Sequence, residues 1–190
     1  MWIDRIIESE AIITELNMKE VVTVLREEYD NWIKLLTEEE KRAIHKYSYN
    51  SYEKIKTRFY ERLNAMLRGN YNKSDKDMLM KYATIISNAI NKHRLEHDII
   101  CYRGTDVNPL IGFEIGTKFT FDQFISTSVI ETRTMNKEYK QIIHIPVGSK
   151  GAYIEKLSAF PKQREFLLDK DCVYKLISVY GNVTELEVIP

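Results

Sequence analysis

The sequence predicts an α+β protein, with helices in the first half of the chain and short strands in the second half. Apolar residues recur at helical spacing up to about residue 97, and β-rich runs separated by turn residues follow from about residue 98. These runs lie too close together for the helical crossovers of a parallel sheet. The 190 residues are enough to bury one core, so we expect a single domain over residues 1–190.

The helical half divides at recognisable start and stop signals. Thr37 followed by Glu40 is a capping box, and Gly69 suits the position just after a helix. Residues 74–77 carry the polar pattern of a further helix start. Helices are therefore expected over roughly 3–16, over 18–35, after residue 37, over 52–67 and from the cap at 74–77 to about residue 93.

The second half contains seven or eight short segments typical of strands. They lie at 99–103, 117–121, 124–129, 141–147, 152–155, 165–168, 172–180 and 183–189. Asn108-Pro109 and residues 148–151 are loop signals between them. Cys101 and Cys172 both lie inside these apolar runs, so we expect two buried free thiols.

Composition excludes several classes of function. The 28 basic and 28 acidic residues balance, which argues against a general nucleic-acid binder. No apolar run approaches the roughly 18 residues of a membrane span, and residues 1–5 do not resemble a signal peptide. His93 and His97 could share a helix face, but no third ligand lies nearby in the sequence, so we expect no metal site. The glycine patterns of dinucleotide-binding and P-loop folds are absent.

Tyr102-Arg103-Gly104 ends the first predicted strand. A guanidinium at a strand end can make a bidentate contact with a pyrophosphate, and a glycine allows close approach of a ligand or of backbone. The alternative is an arginine that forms an ion pair at the end of the sheet. Asn64 and Arg68, four residues apart, share a helix face and could also reach a phosphate, or could be ordinary surface residues.

Two further motifs carry hydroxyl and carboxyl groups. Ser126-Thr127-Ser128 lies in a strand, with Ser126 on a face where it could orient a carboxylate. Gln163-Arg164-Glu165 opens another strand, and alternation places Gln163 and Glu165 on one face. A partly desolvated Glu165 can stabilise a sugar cation with oxocarbenium character. The alternatives are an ordinary half-exposed strand and a solvated edge-strand glutamate.

Together, these motifs resemble the arginine, Ser-Thr-Ser, glutamate class of mono-ADP-ribosyltransferases. Gln163-x-Glu165, where others have Glu-x-Glu, is similar to the botulinum-type exoenzymes, which modify an asparagine of Rho GTPases. Further similar segments are found at 36–48, 63–68, 148–154 and 158–160. The resemblance thus extends from about residue 30 to the C-terminus. It implies helices packed on a mixed two-sheet β-sandwich, with NAD as co-substrate and no metal.

The resemblance also implies a role for each motif residue on the NAD side of the site. Arg103 would grip the phosphates of NAD, helped by Arg68 and Asn64, with Gly104 beside it. In the loop after Ser128, Arg133 is the residue that would supply a further phosphate contact.

On the catalytic side, the resemblance assigns Glu165 to the ribosyl cation that forms as nicotinamide departs. Ser126 would position Glu165, and Gln163 would bond to the acceptor asparagine. Phe160 matches the aromatic residue that recognises the substrate protein.

The resemblance further implies a monomeric toxin and virulence factor, secreted by a bacterium and acting in the host cytosol on a small GTPase of the Rho type. Family members usually have a glycine before the glutamine, whereas Lys162 occupies that place here. Two alternatives therefore remain: the same fold acting on another protein or mainly as an NAD glycohydrolase, and, from a different class, a catalytically silent protein-binding module.

Overall fold

The computed structural model describes the backbone of residues 2–49 and 58–190, and the side chains of these residues from Lys19 onward. Within these ranges the chain forms four α-helices, α1 (Trp2–Leu35), α2 (Glu38–Ser48), α3 (Phe59–Leu67) and α4 (Lys76–Ile90). The strands all follow the helices in the sequence, which confirms the predicted α+β class.

Helix boundaries follow the local signals in the sequence. The capping box is present: the Thr37 hydroxyl accepts a hydrogen bond from the Glu40 amide at 3.2 Å, and the Glu40 carboxylate accepts one from the Thr37 amide at 2.7 Å. Gly69 follows α3 with a φ of 76°, a left-handed conformation that a glycine adopts without steric penalty.

Two helix predictions change. The predicted division near residue 17 is wrong, because α1 runs without a break from Trp2 to Leu35. No glycine or proline occurs in this segment, so nothing interrupts the helical hydrogen bonds. The predicted helix over 52–67 is confirmed from Phe59 onward, and its earlier part lies largely outside the described residues.

Eight strands lie close to the predicted positions: β1 (Ile99–Thr105), β2 (Lys118–Thr120), β3 (Ile125–Ser128), β4 (Tyr139–Ile145), β5 (Gly151–Tyr153), β6 (Glu165–Leu168), β7 (Val173–Tyr180) and β8 (Val183–Ile189). Their order in space is β2-β7-β8-β4-β1-β3-β6-β5. The β4–β8 pair is parallel and the other pairs are antiparallel, so the sheet is mixed.

The resemblance implied two sheets, whereas hydrogen bonding joins all eight strands into one continuous sheet. The link between β1 and β3 is narrow, with Tyr102 opposite Ser128 as its pair of partners. This link connects the five strands from β2 to β1 in the spatial order with the three strands β3, β6 and β5. It also brings the first two sequence motifs side by side.

Buried aromatic side chains attach α1 to the sheet and to α4. The Tyr29 hydroxyl donates a hydrogen bond to the Gly151 carbonyl at 2.9 Å, and its ring lies edge-on to Phe166 at 6.0 Å between centroids. The Trp32 indole donates to the Ala89 carbonyl of α4 at 2.8 Å. Since Phe166 directly follows Glu165 on β6, this core supports the strand that carries the catalytic candidate. No helix in the described part of the chain is long and apolar enough to cross a membrane.

Candidate active site

A cleft opens where the motif-bearing parts of β1, β3 and β6 meet the helical layer. Pairing of Tyr102 with Ser128, and of Ser128 with Glu165, aligns the three sequence motifs across neighbouring strands. Eight of the nine predicted site residues line this cleft: Asn64, Arg103, Gly104, Ser126, Arg133, Phe160, Gln163 and Glu165. Arg68 is not among the lining residues.

Glu165 lies on the floor of the cleft with only 5% of its surface exposed. The Ser126 hydroxyl donates a hydrogen bond to Glu165 Oε1 at 2.5 Å, as the sequence predicts. Burial raises the pKa of Glu165, while the Ser126 hydrogen bond and the positive charge of Arg103 oppose this rise. The carboxylate is therefore desolvated, oriented by one hydroxyl and matched by one cation.

Arg103 lies beside this pair and also lines the cleft. Its guanidinium Nη1 donates a hydrogen bond to the Ser126 carbonyl oxygen at 2.6 Å. Burial lowers the pKa of Arg103, and the negative charge of Glu165 acts in the opposite direction. A guanidinium carries five donors, so one bond to a carbonyl leaves others for an anionic ligand.

Gly104 allows the loop after β3 to pack closely against β1. A Cβ atom at this position would lie 2.3 Å from the Met135 carbonyl oxygen and 3.1 Å from side-chain atoms of Lys137. The predicted close approach is thus one of backbone to backbone. It places Arg133, Thr134 and Met135 on one side of the cleft.

Gln163 and Glu165 both line the cleft, but not through strand alternation, so that part of the prediction is wrong. Pro161–Gln163 is a short 3₁₀ turn, Arg164 has a left-handed backbone with φ of 53°, and β6 begins only at Glu165. Three contacts hold this turn. Ser128 Oγ lies 2.8 Å from the Gln163 carbonyl oxygen, the Val129 amide donates to the Arg164 carbonyl, and the Arg164 guanidinium pairs with Glu155.

Phe160 and Asn64 also line the cleft. Phe160 is 38% exposed and directly precedes the turn of Gln163. Asn64 Nδ2 donates to the Tyr47 hydroxyl at 3.0 Å, and the buried Asn64 Oδ1 has no partner among the described residues. Because a hydroxyl both donates and accepts, Tyr47 can hold the amide with either its oxygen or its NH₂ turned to a ligand.

Arg68 caps the C-terminus of α3 and is exposed. Its guanidinium is hydrogen-bonded to the side chain of Gln123. Its positive charge nevertheless lowers the pKa of Arg103, so the two guanidinium groups are electrostatic neighbours.

The motifs did not reveal the aromatic wall of the cleft. Tyr47 packs edge-on against Phe124 at 5.6 Å and against Tyr60 at 6.3 Å between ring centroids. Tyr102 also lines the cleft. These residues come from α2, α3, β1 and the position just before β3, so no spacing in the sequence connects them. Tyr102 belongs to the first motif and Tyr47 to the early segment that resembles the exoenzymes, but neither pattern indicated a shared wall.

Charge in the cleft is strongly asymmetric. Among the lining residues, which all belong to the described ranges, Glu165 is the single carboxylate. Arg103 and Arg133 supply two positive charges. This combination suits a ligand that carries several negative charges and develops a positive charge at one place, next to Glu165.

The chain belongs to the ADP-ribosyltransferase exoenzyme family, whose model matches residues 25–187. Two curated proteins are similar in sequence. The NAD(+)–arginine ADP-ribosyltransferase EFV of Enterococcus faecalis is 29% identical over 175 residues, which cover 87% of this chain and 34% of the relative. The mono-ADP-ribosyltransferase C3 of a Clostridium botulinum C phage is 28% identical over 159 residues, covering 68% of this chain and 65% of the relative. The chain thus spans less than two thirds of either protein.

A solved structure is similar over nearly its full length. It is Plx2a, an ADP-ribosyltransferase toxin from Paenibacillus larvae, with 26% identity and a TM-score of 0.73. The similarity covers 92% of this chain and 97% of that chain. A second solved structure, an ADP-ribosyltransferase from Clostridium botulinum, has the same fold, with 20% identity, a TM-score of 0.73, and coverage of 90% and 96% of the two chains.

Proposed function

We propose that the protein is a mono-ADP-ribosyltransferase that moves ADP-ribose from NAD to an asparagine of a Rho-type small GTPase. The observation that carries this proposal is Glu165, a buried carboxylate that accepts a 2.5 Å hydrogen bond from Ser126 in a cleft whose other charges are positive. Membership of the ADP-ribosyltransferase exoenzyme family supports the class of reaction.

Binding of NAD would use the charge asymmetry of the cleft. Arg103 and Arg133 line the cleft and would contact the diphosphate, and the Asn64 amide would offer a polar contact from the helical wall. Arg68 is exposed and would reach a phosphate by exchanging its bond to Gln123. The aromatic wall provides flat apolar surfaces on which the nicotinamide or adenine ring can stack.

Cleavage of the glycosidic bond would depend on Glu165. Nicotinamide leaves with the bonding electron pair, and positive charge develops on the ribose ring. An ionised Glu165 stabilises that charge, directly or through the ribose 2′-hydroxyl, and burial strengthens the interaction because the local dielectric constant is low. Ser126 and Arg103 favour the ionised form against the effect of burial on the pKa.

The acceptor would meet the ribose at the mouth of the cleft, beside Gln163. An asparagine side chain is a neutral amide, and the Gln163 amide can both donate to its oxygen and accept from its nitrogen. The asparagine nitrogen then bonds to the ribose C1′ and loses one proton. An arginine acceptor would be better served by a second carboxylate, and Glu165 is the single carboxylate in the lining.

The relative EFV is named as an arginine transferase, which makes arginine the competing acceptor. Gln163→Glu separates the two assignments, because a carboxylate at this place would pair with a guanidinium. We expect this substitution to weaken transfer to asparagine and to increase transfer to arginine. Wild-type protein that already prefers arginine would refute the asparagine assignment.

The direct test combines labelled NAD with a purified Rho-type GTPase and, separately, with host-cell lysate. We expect label on one asparagine of the GTPase, identified by mass spectrometry of the labelled peptide. Label on another protein from the lysate would reject the GTPase assignment and keep the transferase. Nicotinamide release without protein label in either sample would indicate an NAD glycohydrolase.

Gln163→Ala tests the division of roles within the cleft. We expect nicotinamide release from NAD to continue, because Glu165, Ser126 and Arg103 are unchanged, while transfer to protein is lost. Loss of both activities together would contradict the role of Gln163 in holding the acceptor.

The remaining assignments follow from the same resemblance. We propose one catalytic domain over residues 1–190 that acts as a monomer, is secreted by a bacterium and works in the cytosol of a host cell. The similarity to Plx2a, a protein described as a toxin, supports this setting.

A further inference from the structure

A second polar cluster lies away from the cleft, where α1 meets the connection between α4 and β1. Glu28 of α1 is at its centre, with 3% of its side chain exposed. Its Oε1 accepts hydrogen bonds from His93 Nε2 at 2.7 Å and from the Glu96 amide at 3.1 Å. Its Oε2 is buried and has no hydrogen-bond partner among the described residues.

An unpartnered carboxylate oxygen in a buried position needs an explanation, because removing it from water is unfavourable. The neighbouring cations do not provide one. Lys92 bonds to the Leu35 carbonyl and to Glu40, and Arg94 bonds to Asn91 and to the His93 carbonyl. Glu28 Oε2 therefore lacks a positive partner from this segment.

Two exposed side chains complete a set of ligand atoms around Glu28. The carboxylate of Glu96 and the imidazole of His97 each offer one atom, and these atoms and one Glu28 oxygen all lie within 4.8 Å of one another. Around a tetrahedral ion with bonds of about 2.0–2.2 Å, ligand atoms lie about 3.3–3.6 Å apart. The side chains of Glu96 and His97 are exposed, so rotation of these side chains can bring their ligand atoms to this separation. Glu28 is held in place by its hydrogen bond to His93.

We propose that Glu28, Glu96 and His97 form a binding site for a divalent transition-metal ion of the zinc type. One imidazole nitrogen with two carboxylate oxygens matches zinc, whereas magnesium and calcium prefer oxygen ligands alone. His93 would act as the supporting group, because its hydrogen bond fixes the orientation of the Glu28 carboxylate. The sequence suggested His93 and His97 as a possible pair, whereas the fold brings His97 and the adjacent Glu96 together with Glu28, 69 positions before His97, and leaves His93 as the supporting group.

The consequence would be structural. The ion would join α1 to residues 96–97, two positions before β1 begins at Ile99, and β1 carries Arg103. A ligand that binds the folded state and not the unfolded chain stabilises the fold. Zinc should therefore raise the melting temperature of the protein without being needed for cleavage of NAD.

Calorimetric titration of chelator-treated protein with zinc chloride tests the proposal, with magnesium chloride as the comparison. We expect one equivalent of zinc to bind and to raise the melting temperature. His97→Gln and Glu96→Gln change exposed residues, so the fold should persist while zinc affinity falls at least about tenfold. His144→Gln is the matched control, since it makes the same substitution at a histidine outside the cluster, where His144 lies 2.6 Å from Glu185.

The expected control result is zinc affinity equal to that of the wild type. Absence of zinc binding by the wild type at millimolar concentration would overturn the proposal. So would a His97→Gln protein that binds as tightly as the wild type. Tighter binding of magnesium than of zinc would reject the assignment of His97 as a ligand.

Discussion

Removal of the Ser126 hydroxyl isolates the hydrogen bond that orients the Glu165 carboxylate. Ser126→Ala deletes a 2.5 Å donor to Oε1 and leaves the Ser126 carbonyl, to which Arg103 donates, in place. A hydrogen bond to a charged group contributes about 1.5–3 kcal/mol. If the interaction is needed in the transition state, release of nicotinamide from NAD should slow by about 10- to 150-fold, since about 1.4 kcal/mol corresponds to a factor of ten.

The same substitution should change the pH dependence. Burial raises the pKa of Glu165, and the Ser126 hydrogen bond is the first of the two interactions that oppose this rise. Without it, the pKa of Glu165 rises further, so a larger fraction of the carboxyl is protonated at a given pH. The acidic limb of the pH–rate profile for nicotinamide release should therefore move to higher pH.

Ser178→Ala is the matched control for this prediction. Ser178 Oγ also donates to a glutamate, Glu185 Oε2 at 3.0 Å, but this pair lies outside the cleft. We expect wild-type rates and an unchanged acidic limb for this variant. A Ser126→Ala enzyme with a rate within about twofold of the wild type and an unmoved acidic limb would refute the role given to Ser126.

Three further predictions follow from the cleft. Since burial raises the folded-state pKa of Glu165, the stabilising effect of its protonated form is present below the unfolded-state pKa and is lost as pH rises through the folded-state pKa. The Glu165→Gln protein should therefore have a higher melting temperature than the wild type at neutral pH but not at acidic pH. A difference in melting temperature that does not change with pH would contradict this prediction. Gly104→Ala forces a Cβ against the Met135 carbonyl, so it should lower the stability by about 1–3 kcal/mol and raise the KM for NAD. An unchanged melting temperature and an unchanged KM would show that the loop moves to accommodate the Cβ without cost. Tyr47→Phe removes the partner of the Asn64 amide and should raise the KM for NAD with little change in kcat, whereas a loss confined to kcat would place Tyr47 in the chemical step.

Local signals were sufficient to predict most of the fold. The strand segments lie within a few residues of the predicted runs because β-branched and aromatic residues there alternate between turns. The capping box at Thr37 was also predicted correctly, because its hydrogen bonds join residues only three positions apart in the sequence. The predicted division of α1 near residue 17 was wrong, because the segment contains no glycine or proline that would interrupt the helix.

The candidate site was predictable where its motifs are contiguous, and less so where it depends on packing between elements. Ser126, Arg103 and Glu165 meet because three strands are paired in register, and each strand has its own sequence signal. The wall formed by Tyr47, Tyr60 and Phe124 has no shared signal, because Tyr47 lies in α2, Tyr60 in α3 and Phe124 just before β3. The left-handed backbone at Arg164 was also missed, since a non-glycine residue rarely adopts it and here an ion pair to Glu155 helps to hold it.

Under the proposed function, Glu165 enables this cleft to cleave nicotinamide from NAD. The most direct measurement is the rate of nicotinamide release by wild-type protein and by Glu165→Gln under the same saturating NAD, with folding of both checked by thermal melting. We predict release well above background for the wild type and release close to background for a folded Glu165→Gln protein. A wild type that releases no nicotinamide, as a silent binding module would behave, or a variant within a few-fold of the wild type, would contradict the claim.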